Sequence, residues 1–251
     1  MDTPTPTGAV FSLVKAAIKH QDHLAPLARS YKFLFRKRIR VSMACLVRFE
    51  FQGKQILVRN RLRPESMAPF GGVIKYHDSA RELLDSIEYE DEAVASCDSD
   101  LRCDLRGYFP ASKFGTFMTW FKSRVAREQS ETVARELREE FEEAAIPSTI
   151  ATPLRDAKYS LFRTIHEGPY AHDHHDYATF RYFELYKPNT TGSIESALAA
   201  LAELTKAGDS MACLVTKAEV FNLRSQAKTQ IAGTARYFYT SKWHGYEPPS
   251  F

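Results

Sequence analysis

The most constraining feature of this chain is the charged segment at residues 131–140, which reads ETVARELREE. The segment contains no Gly or Pro and consists largely of strong helix formers, so it predicts a helix. Positions i, i+3 and i+4 share one face of a helix, so we expect Glu136, Glu139 and Glu140 to converge on one patch. Like charges at this spacing repel, so the patch is either solvated or bound to a cation. Mg²⁺ suits several carboxylates combined with substrate phosphates.

A glycine pair, Gly71 and Gly72, lies well upstream in the stretch APFGGV. Because glycine has no Cβ, the pair would let the backbone approach the charged helix closely; the alternative is an ordinary strand turn. Three arginines, Arg59, Arg61 and Arg63, lie just before the pair. Their guanidinium groups are candidates to bind a phosphate or a base edge of a substrate, and a solvated loop is the equal alternative.

The stretch RELREE at residues 135–140 resembles the Arg-Glu-aliphatic-any-Glu-Glu centre of the Nudix box, and the glycine pair resembles the pair that opens this box. The resemblance implies a hydrolase of nucleoside diphosphates linked to another group, dependent on Mg²⁺ or Mn²⁺. It implies that Glu136, Glu139 and Glu140 bind the metal. It also implies that Arg135 orients these glutamates by pairing with a carboxylate.

The box departs from the usual pattern in several places. An insertion of about residues 77–125 separates the glycine pair from the helix, whereas the box normally has only a few residues there. The glutamate usual at the start of the helix has two imperfect candidates, Glu128 and Glu131, and each is also a candidate general base. Arg127 and Glu142 stand where the box normally has glycine.

Further segments resemble a narrower branch, the SMODS-associated Nudix proteins encoded beside second-messenger nucleotidyltransferases in bacterial anti-phage operons. The resemblance extends from about residue 10 to 225. It implies a nucleotide small molecule as ligand and a second-messenger nucleotidyltransferase system as a partner. The segments that carry it are RIRVS (38–42), PFGGV (69–73) with KY (75–76), DLR (104–106), FMTWF (117–121) and RE (127–128).

The chain as a whole predicts one α/β domain, a Nudix-type α/β/α sandwich with a mixed sheet. Residues 1–8 are expected to form a disordered tail, 9–225 the domain with N-terminal helices at 9–34, and 226–251 a C-terminal extension. The acidic, sparsely apolar stretch from 88 to 100 predicts that the insertion is mobile. Predicted strands are 40–51, 54–60, 72–76, 105–109, 159–167, 177–186 and 211–216; predicted helices are 80–89, 113–123, 130–146, 193–207 and 217–223, with a loop at 62–69 and with Ser112 and Ser130 as helix caps.

A loop between two predicted strands carries His172, His174, His175 and Asp176. These side chains could bind a transition metal, but a solvated loop is the favoured interpretation. If the loop has a function, its position predicts a substrate lid or a proton donor.

Composition excludes several classes of protein. No apolar run approaches the roughly 18 residues of a membrane span, and a net charge of +3 is too small to indicate nucleic-acid binding. The four cysteines are far apart without a Cys-x-x-Cys pair, and the start of the chain lacks the pattern of a signal peptide. Reduced thiols in the cytoplasm are therefore expected. The oligomeric state stays open, a homodimer included.

We therefore predict a cytoplasmic, metal-dependent hydrolase that cleaves a phosphoanhydride bond in a nucleotide-derived substrate, in anti-phage defence or nucleotide signalling. The alternative is a non-catalytic Nudix-fold sensor that relays nucleotide binding to a partner protein; the remodelled flanks of the box motivate it, and the intact glutamates argue against it. A third, weaker hypothesis is an interaction scaffold built around the basic run at residues 35–40.

Overall fold

The computed structural model describes residues 37–60, 63–92, 103–171, 175–206 and 211–240. The predicted N-terminal tail and helices lie outside these ranges. So do Arg61, His172 and His174, together with the last eleven residues, 241–251.

The described residues form ten strands and six α-helices. The strands are β1 (Arg38–Val47), β2 (Phe49–Phe51), β3 (Lys54–Asn60), β4 (Arg63–Ala68), β5 (Glu90–Asp91), β6 (Arg106–Pro110), β7 (Tyr159–Ala171), β8 (Tyr177–Pro188), β9 (Ala212–Val215) and β10 (Gln230–Ile231). The helices are α1 (Arg81–Ser86), α2 (Phe114–Ser123), α3 (Glu131–Glu143), α4 (Ser148–Arg155), α5 (Gly192–Leu204) and α6 (Lys217–Asn222). Short 3-10 turns lie at Asp78–Ala80, Ala111–Lys113 and Gly233–Phe238.

Two mixed sheets organise these elements. The first has the order β5-β6-β1-β8-β7, and β1 runs parallel to β8 but antiparallel to β6. The second has the order β10-β4-β3-β2, with β9 also paired to β3. In the second sheet β10 runs parallel to β4, while the other pairs are antiparallel. This architecture confirms the predicted α/β fold with mixed sheets.

Successive side chains of β1 point to opposite faces of the first sheet, and different elements pack against each face. The odd-numbered residues point into two cores: Ile39, Val41 and Met43 pack with α1 and α2, whereas Cys45 and Val47 pack with α3, α4 and α5. On the other face, Ala44 and Leu46 pack against the 3-10 turn at Gly233–Phe238. Residues from the predicted C-terminal extension therefore contribute to the core of the fold. Apolar burial on both faces is what holds the layers together.

The described parts of the insertion are packed. Ala80, Leu84 and Ile87 are buried in the same core as Phe109 and Phe117 from the later part of the insertion. β5 pairs with β6, which in turn pairs with β1. Residues 93–102 lie outside the described ranges, so the predicted mobility of the insertion stays a prediction.

Several local predictions were wrong. The predicted loop at 62–69 contains β4, whose residues alternate poorly in hydrophobicity. The predicted strand at 72–76 forms only isolated bridges, because the segment changes partner from β1 to residues of the insertion. Neither predicted cap makes a side-chain bond: Ser130 already has helical backbone angles, and a 3-10 turn at 111–113 precedes α2. The helix α3 ends at Glu143, and Pro147 instead is the N-cap residue that precedes α4, a helix that the sequence did not predict.

No helix among the described residues is long and apolar enough to cross a membrane. Of the four cysteines, Cys45, Cys103 and Cys213 lie in the described ranges and are free thiols.

Candidate functional site

The glycine pair holds two of the predicted glutamates against the backbone. The N–H of Gly71 donates to Oε2 of Glu140 over 3.0 Å. Gly71 has φ +126°, and a Cβ there would lie 2.2 Å from the carbonyl oxygen of Cys45. A Cβ on Gly72 would lie 2.0 Å from Oε2 of Glu136. Only glycine fits at position 71, where the obstacle is backbone, whereas a Cβ at position 72 would displace the carboxylate of Glu136. The pair therefore lies directly against the helix, as the sequence predicts.

Arg135 contacts three carboxylates at once. Its Nε and Nη2 donate to the two oxygens of Glu128, over 3.0 Å and 2.9 Å. Its Nη1 donates to Glu136 over 2.6 Å and to Glu139 over 3.3 Å. Nη2 also donates to the carbonyl oxygen of Val73 over 2.9 Å, which ties the helix to the glycine segment. The planar guanidinium thus fixes the direction of these side chains, as expected for an orienting residue.

Glu128 has little capacity left to accept a proton. Besides Arg135, its Oε2 accepts from the Lys75 N–H over 3.1 Å and from the Thr132 hydroxyl over 3.2 Å. Burial works against its ionisation, but these bonds outweigh burial and hold the pKa of Glu128 below its usual value. The geometry therefore favours an orienting role for Glu128 over the role of general base.

Glu131 lies at the start of α3 and is exposed. Its Oε2 accepts from the backbone N–H of Gln129 over 2.8 Å. An acidic side chain in the first turn also complements the helix dipole. The contact supports a role in beginning the helix.

A buried ion pair positions Glu128, which in the sequence lies one residue closer to Arg135 than the glutamate of the usual Nudix box. Ala126 has φ +60°, so the chain turns sharply just before the helix. Arg127 then points into the core, where its Nη2 donates to Glu184 over 2.8 Å, and its Nη1 donates to the carbonyl oxygen of Glu128 over 2.7 Å. Sequence analysis missed this pair. The available signal was Glu184 itself, a lone acidic residue inside the apolar run of β8.

Burial and crowding favour protonated glutamates in this cluster. Burial raises the pKa of Glu136 to about 7, helped by the negative charges of Glu139 and Asp104 and opposed by Arg135. Burial also raises the pKa of Glu140 well above its usual value, and the charges of Glu136 and Glu139 act in the same direction. A bound cation would relieve this excess of negative charge, so the chemistry of the donor set fits a hard divalent metal.

The insertion delivers a further carboxylate that sequence analysis did not assign to the site. Asp104 is buried, and burial raises its pKa to about 6. The positive charges of Arg106, Lys75 and Arg135 oppose this rise, so all three lie within electrostatic reach of Asp104. The sequence offered only the stretch DLR at 104–106 as a signal, without a role for the aspartate.

Within the described ranges, no group of three or more His, Cys, Asp or Glu side chains is arranged to hold a metal ion. Glu136 and Glu139 both bond to Nη1 of Arg135, and Glu140 bonds to the Gly71 N–H. Metal binding by these glutamates therefore stays a prediction.

The two predicted substrate-binding arginines in the described ranges lie on different strands. Arg59 is exposed on β3. Arg63 begins β4 and lies close enough to Arg181 of β8 for their positive charges to interact. In the histidine-containing loop, His175 stacks on Tyr177 with ring centroids 4.7 Å apart.

The family model described as "SMODS-associated NUDIX domain" matches residues 38–239 of this chain. The match includes both sheets, the glycine pair, the insertion and the helix α3. No curated protein and no solved structure matches the chain.

Proposed function

We propose that this chain, which belongs to the SMODS-associated NUDIX domain family, is a divalent-metal-dependent hydrolase that cleaves a phosphoanhydride bond in a nucleotide-derived substrate. The observation that supports the proposal most is the joint placement of Glu136 and Glu140 against the glycine pair. Both side chains come from one helix face: Glu140 accepts from the N–H of Gly71, and Glu136 lies against Gly72 and is bonded by Arg135. The SMODS association supports a setting in bacterial anti-phage nucleotide signalling.

Glu136, Glu139 and Glu140 are the residues that would hold Mg²⁺ or Mn²⁺. The metal would neutralise phosphate oxygens and make hydroxide available from water near neutral pH. Among the three carboxylates bonded to Arg135, that of Glu139 is the most exposed, with 47% of its side chain accessible. Glu139 is therefore the proposed ligand that is freest to turn towards a metal.

The remaining residues would orient the glutamates or accept a proton. Arg135 and Glu128 form an ion pair through two hydrogen bonds, and this pair would orient the proposed metal ligands. Because the pKa of Asp104 is raised to about 6, this carboxylate is better suited than Glu128 to accept a proton near neutral pH. Asp104 therefore joins Glu131, which is exposed at the start of α3, as a candidate general base.

The test is a screen of nucleotides with and without Mg²⁺ for phosphate release, measured directly and after a phosphatase has removed phosphate from newly formed monoesters. Glu139→Gln and Glu140→Gln should each lower turnover by about a hundredfold or more, because a preorganised charge contributes a few kcal/mol to lowering the barrier. Each substitution removes one charge and keeps the side-chain volume. Glu142→Gln is the matched control, since Glu142 is exposed on the same helix, and it should retain full turnover. Unchanged turnover in both test variants would refute the catalytic assignment.

A second candidate function is a non-catalytic nucleotide sensor. One observation favours it: the guanidinium of Arg135 lies among the carboxylates of Glu128, Glu136 and Glu139. Its positive charge therefore compensates Glu136 and Glu139 in the place of a catalytic metal. A sensor should bind nucleotides and gain thermal stability from them without releasing phosphate in Mg²⁺. Phosphate release that depends on Mg²⁺ and on Glu139 would exclude this function.

A further inference from the structure

A continuous series of hydrogen bonds connects β8 of the first sheet to the proposed metal ligands on α3. It begins at Glu184, whose Oε2 accepts from the hydroxyl of Tyr186 over 2.7 Å and whose Oε1 accepts from Nη2 of Arg127 over 2.8 Å. Nη2 of Arg124 adds a longer contact to Oε1, over 3.4 Å. The side chains of Arg127 and Glu184 are each 1% exposed. The direction of this buried carboxylate is therefore fixed through both of its oxygens.

The guanidinium of Arg127 also joins the two ends of the turn between α2 and α3. Its Nε donates to the carbonyl oxygen of Phe121 in the last turns of α2 over 2.8 Å, and its Nη1 donates to the carbonyl oxygen of Glu128 over 2.7 Å. Between these carbonyls lie two non-glycine residues with left-handed backbone angles, Arg124 and Ala126, each with φ +60°. Such residues persist only where surrounding contacts determine the backbone. Arg127 supplies contacts of this kind from the core.

Glu128 is the point at which the series reaches the proposed ligands. Its carbonyl oxygen is bonded by Arg127, and its N–H donates to the carbonyl oxygen of Lys75 over 2.9 Å, so its backbone is held from two sides. Its carboxylate accepts two hydrogen bonds from Arg135, and Arg135 in turn donates to two of the proposed metal ligands. A displacement of Glu128 would therefore move Arg135 and the ligands bonded to it.

Stability alone does not account for a charged pair in this place. Taking two charges out of water costs so much free energy that apolar side chains of similar volume often give equal or higher stability. Apolar side chains could not, however, donate to the carbonyl oxygens of Phe121 and Glu128. The Arg127–Glu184 pair therefore fits a role in determining geometry better than a role in stabilising the core.

We propose that Arg127 and Glu184 are positioning residues for the proposed metal ligands: they fix the backbone of Glu128, and through the Glu128–Arg135 pair they determine how tightly a metal is bound. Arg127 stands where the Nudix box normally has glycine, so in this chain a buried ion pair determines the turn before α3. The inference rests on the proposed function, because it concerns the same ligands.

The first experiment separates the position of the ligands from the stability of the chain. Arg127→Met combined with Glu184→Gln removes both charges together, so neither is left buried without its partner. This double variant should therefore unfold at a higher urea concentration than Glu184→Gln alone. Its Mn²⁺ affinity, measured by calorimetric titration at pH 8, should nevertheless stay about tenfold or more below that of the wild type, because the carbonyl oxygens of Phe121 and Glu128 have lost their donor.

The second experiment needs no metal. The Nε–H of Arg135 donates to Glu128 over 3.0 Å, and the exchange of this proton with solvent can be followed by NMR in chelator. In the double variant the proton should exchange about tenfold faster or more, because Glu128 is no longer held in place. The signal is assigned with Arg135→Lys, which lacks it.

Arg163→Met is the matched control. Arg163 of β7 also donates to a carbonyl oxygen, that of Tyr237, over 2.8 Å. It pairs with Leu185, whose side chain packs with Tyr237 on the face of the first sheet opposite to α3. The control should lose stability with this hydrogen bond but keep the wild-type Mn²⁺ affinity and the wild-type exchange rate of the Arg135 proton.

Two results would overturn the proposal: a wild-type Mn²⁺ affinity in the double variant, or an unchanged exchange rate of the Arg135 proton. If the wild type itself binds no Mn²⁺, the proposed metal-dependent function fails, and the exchange rate alone decides whether the pair positions Arg135. If the double variant does not fold, Arg127→Lys provides both measurements, because it keeps the charge beside Glu184 while its single ammonium group cannot span all three acceptors.

Discussion

The raised pKa of Glu136 predicts that divalent metal binds more tightly as the pH rises from 6 to 8. A metal ligand must be ionised, so a bound metal displaces the proton that Glu136 holds. With a pKa of about 7, the carboxylate is about 10% ionised at pH 6 and about 90% ionised at pH 8, so this single group should tighten the apparent metal affinity about tenfold. Glu140, whose pKa is also raised, should steepen the dependence further.

The same group predicts a stability change in the absence of metal. Glu136 holds its proton more strongly in the folded chain, so folding loses stability as pH rises from the unfolded pKa of 4.5 through the folded pKa of about 7. The rise corresponds to about 3 kcal/mol, an order-of-magnitude value. In chelator, Glu136→Gln should therefore flatten the fall in the free energy of unfolding between pH 5 and pH 8.

Calorimetric titration with Mn²⁺ or Mg²⁺ at pH 6 and pH 8 measures the first effect, and urea unfolding in chelator measures the second. The comparison uses slopes with pH, because Glu136→Gln also weakens the contact with Arg135 at every pH. Glu142→Gln, exposed on the same helix, should keep both slopes. A metal dissociation constant that does not change with pH would show that the glutamates form a solvated helix face, and the reasoning would be wrong.

Three further perturbations test other parts of the structure. Gly72→Ala should weaken metal binding by tenfold or more with little loss of stability, because the new Cβ displaces only the end of the Glu136 side chain. Metal titration measures the first effect and thermal unfolding the second, and a wild-type metal affinity would contradict the expectation. Glu184→Gln should cost about 3–5 kcal/mol in urea unfolding, because it leaves Arg127 as an uncompensated buried charge; a loss below about 1 kcal/mol, as for a surface pair, would refute it. In limited proteolysis the first internal cut should fall in the acidic stretch 88–100 of the insertion, and a first internal cut elsewhere would contradict the predicted mobility of the insertion.

Local sequence patterns were sufficient for the features that depend on neighbours along the chain. The spacing of Glu136, Glu139 and Glu140 determined their common helix face, and the two-residue period of a strand determined that neighbouring residues of β1 face opposite sides of the sheet. The glycine pair also indicated a close approach, because few other arrangements require two residues without Cβ atoms. These features follow from the fixed periods of helix and strand.

The tertiary structure alone decided the contacts between distant residues. Which strand lies beside β1, and in which register, brings Arg106 and Arg181 to either side of Ser42, the charge of Asp104 within reach of Glu136, and Arg127 to Glu184. No local period encodes these pairings, because they arise from strand order and from the left-handed turn before α3. For the same reason the sequence showed a cluster of three glutamates, while the fold showed that Asp104 of the insertion adds a carboxylate near it and that Glu128 pairs with Arg135.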